Sequence, residues 1–244
     1  MGKGIFDRTC LLLGKDAMNR LNEVRVIIFG MGGVGSWVAE SLVRTGITHI
    51  TIVDSDNVDT TNVNRQMPAT VSTIGTKKTE AARSRLLDIN PDAEITAIDM
   101  FYSEETAGTI DLTQYDYIVD AIDSLKDKAL LILKATSSGK KFFSSMGAAL
   151  KMDPSRIHTA EFWDVKGCPL ARALRNKFKK TKTFPKKRFI CVYSDELLQN
   201  KETSHETCDY KASINGSLVH ITAIFGFTIA GEIVKDIVRT SDTR

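Results

Sequence analysis

Val24, Val26, Ile27, Ile28 and Phe29 form a short β-branched run, the pattern of a strand buried on both faces, and lead into Gly30-Met31-Gly32-Gly33-Val34-Gly35. A helical pattern follows: Val34, Val38, Leu42 and Val43 recur on one face, and Gly46 is a natural stop. Ile50 to Val53 reads as a second strand, closed by Asp54. The alternation continues in looser form. Lys77 to Ile89 predicts a helix, Ala93 to Ile98 and Tyr115 to Asp120 strands, Leu125 to Ser137 a helix and Lys141 to Ser145 a strand. Strands alternating with helices predict an α/β fold, a mostly parallel sheet with helices on both faces.

After Met146-Gly147-Ala148-Ala149 the alternation fades. Arg156 to Glu161 predicts a short strand, Leu170 to Lys180 a basic helix, Phe189 to Tyr193 another strand, and Ser194 to Asn215 a polar loop. Leu218 to Gly231 reads as a buried helix, interrupted by His220 and ended by Glu232, short of the roughly 20 residues that span a bilayer. Two regions follow: residues 1–150 as a Rossmann-like ATP-binding domain, and 151–244 as a smaller basic lobe and last helix packed on that same domain.

Charge refines this division. The chain has 244 residues and a formal charge of +3, which alone points to no polyanion. Between Lys166 and Arg188, however, stand ten basic residues and no acid, leaving −7 for the rest. Cys10, Cys168, Cys191 and Cys208 form no CxxC pair, and Met1 to Asp7 has no apolar core of a signal peptide, so a reducing cytoplasm is the expected compartment.

The strand, glycine turn, helix and strand compose a dinucleotide-binding βαβ unit. Its glycines permit a tight turn and close approach to a phosphate, and the helix start offers amides and a positive dipole end. Asp54, nineteen residues past Gly35, stands where a ribose-binding acid belongs. The segment from Asp54 to Gln66 is polar and carries Arg65, a poor nicotinamide pocket. Lys77 and Lys78 at a helix start, with Asp123 just past a strand's carboxyl end, suit a triphosphate and its magnesium ion.

These residues resemble the ThiF-like family, which includes ubiquitin-activating enzymes and the bacterial adenylating enzymes for sulfur carrier proteins. The resemblance covers the glycine turn, Asp54, Asn62-Val63-Asn64-Arg65-Gln66, Lys78 and Asp123. It implies that Gly30, Gly32, Gly33, Gly35, Asp54, Asp56, Asn62, Arg65, Gln66 and Lys78 bind ATP. It assigns Arg65, Lys78 and Asp123 to catalysis, Asp123 also to magnesium, and suggests a homodimer in which Arg8 reaches the partner's site. The reaction implied is attack of a carboxylate on the α-phosphate, giving an acyl-adenylate and pyrophosphate.

The missing CxxC pairs argue against the zinc of the sulfur-carrier enzymes. Phe6-Asp7-Arg8-Thr9, Asp120-Ala121-Ile122-Asp123-Ser124, Cys168-Pro169-Leu170-Ala171 and Asn215-Gly216-Ser217 resemble the branch that dehydrates threonylcarbamoyladenosine in tRNA. That branch implies a tRNA partner, to which Arg172, Arg175, Lys179, Lys180 and Lys182 are candidate contacts; Phe178 and Phe184, among these cations, are candidates to stack on bases, with one of them expected to be core instead. It also leaves room for a monovalent cation near the last helix and for a sulfur-transfer partner. The competing readings are an adenylating enzyme for a carrier protein and a nucleotide-dependent scaffold without turnover. Cys168 reads as structural, Cys10 as core, and no histidine has a companion at ligand spacing.

Overall fold

The computed structural model describes residues 4–202 and 215–239. Two short helices, α1 (Asp7–Leu13) and α2 (Lys15–Glu23), precede β1 (Arg25–Phe29). Then follow α3 (Gly35–Thr45), β2 (His49–Asp54), α4 (Lys78–Ile89), β3 (Glu94–Asp99), β4 (Tyr117–Asp120), α5 (Leu125–Ser137) and β5 (Lys141–Ser145). The chain continues through β6 (Ile157–Glu161), α6 (Pro169–Thr181), β7 (Ile190–Ser194) and α7 (Val219–Arg239).

All seven strands join one sheet in the order β3-β2-β1-β4-β5-β7-β6. Every pairing is parallel except that of β6 with β7, which is antiparallel. The basic region is therefore continuous with the sheet, because β7 pairs directly with β5. Alternate residues serve opposite layers, as the pleat requires. Val26, Ile28, Ile50, Ile52 and Val119 pack with α3, α4 and α7, whereas Ile27, Phe29, Ile118 and Phe142 pack with α5 and α6.

Two features differ from expectation. The last helix runs eight residues past Gly231, because Ile229, Ile233 and Ile237 continue one buried stripe at a spacing of four, and Glu232 lies beside that stripe rather than ending it. Cys10 is half-buried rather than core: α1 buries none of its residues. Helix α7 crosses α3 at close range through Gly226, where a Cβ would stand 2.8 Å from the Val34 carbonyl oxygen. Among the described residues no helix is long and apolar enough to cross a membrane.

Candidate functional site

The strand order reverses between β2-β1 and β4, and the crevice at that point is where open parallel sheets bind ligands. A cleft of about 710 Å³ lies there, lined by the glycine turn, Asp54, Asp56, Asn62, Arg65, Gln66, Lys78, Tyr102 and Asp123. The glycines divide their work. A Cβ on Gly35 would fall 1.9 Å from the Gly30 carbonyl oxygen, so Gly35 serves the packing of α3 against its own turn. Gly32 fronts the cleft, its nearest neighbour being the Gln66 Nε2 at 3.9 Å from the Cβ position. Because α3 starts at Gly35, its positive dipole end faces this space.

Asp54 ties the turn to the end of β2. Its Oδ2 accepts the Met31 N–H at 2.6 Å and its Oδ1 the Asp56 N–H at 2.8 Å. Each oxygen keeps a further lone pair for a ligand hydroxyl. Burial pushes the Asp54 carboxyl above its ordinary value, against the opposing pull of Lys78.

Lys78 opens α4, a position where the helix dipole disfavours a cation. Asp56 compensates: its Oδ2 lies 2.7 Å from the Lys78 Nζ, and the lysine side chain is only 7% exposed against 66% for the aspartate. The pair places a buried cation beneath an exposed, displaceable carboxylate. Arg65 Nη1 donates to the Thr61 carbonyl at 2.7 Å and to Asn64 Oδ1 at 2.9 Å. Burial draws the Arg65 guanidinium below its ordinary pKa, with Asp123 pulling the other way across the cleft.

Asn62 is committed to shape. Its Oδ1 accepts the Asp59 N–H at 3.1 Å, while Asp59 Oδ1 accepts the Thr61 N–H at 2.7 Å, closing the turn that carries Arg65. Gln66 is buried, and its Oε1 has no partner among the described residues. The Tyr102 hydroxyl is likewise buried without a partner, its ring set edge-on to Phe29 at 4.8 Å; burial pushes its pKa up to about 12.

Sequence reasoning missed Lys128. It is fully buried under the cleft, 2.8 Å from Asp120 Oδ2, and its Nζ also donates to the Ile122 carbonyl at 2.9 Å. Asp120 Oδ2 additionally accepts the Ser144 hydroxyl at 2.7 Å, and Oδ1 the Ile122 N–H at 3.0 Å. Burial pushes the Asp120 carboxyl up, opposed by Lys128. This knot fixes the turn that presents Asp123. The signal was a lysine beside Ala129, Leu131 and Ile132 on the apolar face of α5.

Other sequence candidates lie apart from the cleft. Arg8 is exposed on α1 and lines none of it. The basic helix touches it only through Leu170, at its amino end. Arg172, Lys179, Lys180 and Lys182 are exposed, whereas Arg175 turns inward, its Nη1 donating to the Phe162 carbonyl at 2.9 Å. Phe178 is core at 1% exposure and Phe184 stands out at 50%. Cys168 is buried at the start of α6. Cys208 and His205 lie outside the described residues. Among the described residues no three acidic, histidine or cysteine side chains gather as a metal site.

Residues 6–244 match the sequence profile of the ThiF family. The chain belongs to that family. It is 35% identical to the tRNA threonylcarbamoyladenosine dehydratase of Bacillus subtilis over 242 residues, 96% of this chain and 94% of the relative. The ThiF-family fold superposes on the crystal structure of E. coli tRNA N6-threonylcarbamoyladenosine dehydratase in complex with ATP with a TM-score of 0.86 and 31% identity. That match covers 98% of this chain and 96% of the other. By contrast, the adenylyltransferase and sulfurtransferase MOCS3 of Culex quinquefasciatus is 35% identical over only 133 residues, 52% of this chain and 30% of the relative.

Proposed function

We propose that the chain uses ATP to dehydrate threonylcarbamoyladenosine in tRNA, closing its threonyl side chain into a ring. The observation that carries this reading is the extent of kinship: the dehydratase match runs through both the cleft and the basic helix, whereas the carrier-activating match covers about half of the chain. In this reading the threonyl carboxylate attacks the α-phosphate, pyrophosphate leaves, and the carbamoyl group then attacks the acyl carbon and releases AMP.

The cleft fits ATP. The turn at Gly30, Gly32 and Gly33 and the start of α3 receive the phosphates, and Asp54 accepts the ribose hydroxyls. Lys78 and Arg65 neutralise charge as it develops, so that positioned cations provide most of the acceleration. Lys78 exchanges the Asp56 carboxylate for the incoming phosphates, and the orphaned Gln66 Oε1 gains a donor. Asp123, on the cleft wall, is the carboxylate that would hold magnesium. When bound, the ion would supply positive charge to the triphosphate and its leaving group, and a single protein carboxylate suits an ion of that kind.

We further infer a homodimer. Helix α1 exposes Leu11 at 86% and Leu12 at 83%, and α7 exposes Phe227 at 46%, apolar surface that a second copy would cover. Arg8 sits on that same helix, which supports its reaching a partner's cleft.

The test is incubation of the purified protein with ATP and tRNA carrying threonylcarbamoyladenosine, followed by mass analysis of the nucleoside. Loss of one water that requires ATP and is abolished by Asp123→Ala is expected. An unchanged nucleoside, with AMP formed regardless of tRNA, overturns the reading in favour of a carrier-protein substrate.

A further inference from the structure

Beyond the cleft, α6 carries a surface the proposed chemistry does not use. At its far end the exposed rings of Trp163, 39% accessible, and Phe184, 50% accessible, lie 6.3 Å apart at 44°. Large exposed aromatics cost hydration free energy, and a merely solvated charged helix needs neither. The same stretch of chain, from residue 163 to 188, carries the exposed cations Lys166, Lys179, Lys180, Lys182, Lys186 and Arg188. Among the described residues none of these is paired with a carboxylate.

The aromatic pair is held rigidly from below. Trp163 packs edge-on against buried Phe162 at 5.1 Å, and Phe162 in turn contacts Phe178 at 5.9 Å and Phe189 at 5.0 Å. Arg175 lies 5.8 Å from the Phe162 ring centre while bonding the Phe162 carbonyl. The Trp163 backbone N–H donates to Glu161 Oε2 at 2.9 Å, so one of the two nearby acids is spent on the turn; Asp164 remains exposed. On the other side, Lys182 adopts a left-handed φ of 54° and the Thr183 N–H returns to the Phe178 carbonyl, which sends the chain back to present Phe184.

We propose that Trp163 and Phe184 form a stacking platform for an unpaired base of the RNA substrate, within a cationic rim that holds its backbone. Aromatic faces accept any base, and cations track the phosphates; the two together distinguish single-stranded RNA from a plain polyanion. This rests on the tRNA reading above and locates a second contact. Helix α6, 13 residues and roughly 20 Å long, meets the cleft at Leu170 near its amino end, whereas Phe184 follows its carboxyl end, and neither Trp163 nor Phe184 lines the cleft. The platform therefore binds nucleotides other than the one that reacts, and fixes the tRNA arm while the target base reaches the cleft.

Equilibrium tRNA binding across a salt series, with ATP affinity measured in parallel, tests this. Trp163→Ala and Phe184→Ala are expected to lower tRNA affinity about 5- to 100-fold without altering the slope of log affinity against log salt. Trp163→Phe and Phe184→Tyr should restore most of the loss. The double variant Lys179→Ala/Lys180→Ala should instead reduce the slope by about 1 per lost phosphate contact. ATP affinity should match the unsubstituted protein's throughout. An oligoribonucleotide with an unpaired stretch should show the aromatic effect, and a blunt duplex of equal charge should not.

If the unsubstituted protein dehydrates and binds tRNA while both alanine variants bind it equally well, the platform is overturned and the function stands. If it neither binds nor modifies tRNA, the functional reading itself has failed. Equal losses on duplex and unpaired RNA would reduce the rings to props for the cations and overturn the proposal. So would unchanged RNA affinity accompanied by lost binding of polyglutamate, which would assign the surface to an acidic protein.

Discussion

At the scale of single residues, the site depends on charges held where water is excluded. Lys128 and Asp120 are both fully buried, and removing one partner strands the other. Lys128→Met is expected to destabilise the fold by about 3–5 kcal/mol in denaturant titrations. Adding Asp120→Asn should recover much of that loss, because the remaining dipole is far cheaper to bury than a charge; no recovery would show that Lys128 acts through its bond to the Ile122 carbonyl. The motif around Asp123 was legible in the sequence because its spacing is local. Lys128 was not, since a lysine on an apolar helix face acquires its partner only when β4 is laid beneath α5.

At the scale of elements, α3 and α4 are joined by Glu40, whose carboxylate receives Arg85 at 2.7 and 3.2 Å and Arg44 at 2.8 Å. Burial alone would raise the Glu40 carboxyl, but the hydrogen bonds from Arg85 and Arg44 outweigh it and hold the carboxyl below its usual value of 4.5. Its lowered folded pKa means that the charged form stabilises the fold above the unfolded value and that this stability is lost as pH falls through the folded one. Arg85→Ala is therefore expected to cost about 1 kcal/mol at neutral pH, and less as pH drops below 4.5, when melting is compared across a pH series. A constant difference at all pH values would assign the loss to packing of the arginine stem instead. The helix and strand order was readable from hydrophobic spacing, yet α1 and α2 were not anticipated. Helix α1 buries nothing and α2 buries only Ala17 and Leu21, so neither has a strong apolar stripe.

At the scale of the molecule, the proposed dimer links α1 to function. Leu11→Lys combined with Leu12→Lys is expected to convert the protein to a monomer in light scattering and to abolish nucleoside dehydration. Arg8→Ala should remain dimeric and inactive. If Arg8 completes the partner's cleft, mixing Arg8→Ala with Asp123→Ala subunits should restore part of the activity, since one mixed arrangement pairs an intact Arg8 with an intact Asp123. Mixtures that stay inactive would remove Arg8 from the shared site.

The α/β class and the glycine turn were legible in the sequence through short-range periodicity, and Asp54, Arg65, Lys78 and Asp123 were named there as candidates through motif spacing and the resemblance to the ThiF-like family. The sequence by itself also determined that a basic segment follows. Only the tertiary structure decided which of those residues meet, since the reversal of strand order places β4 beside β1 and brings Asp123 across from Arg65. It likewise turned Arg175 inward, buried Phe178 and set Trp163 against Phe184, three outcomes governed by helix phase and by the approach of β6 to β7. Contacts between residues distant in sequence follow from packing, and no local pattern encodes them.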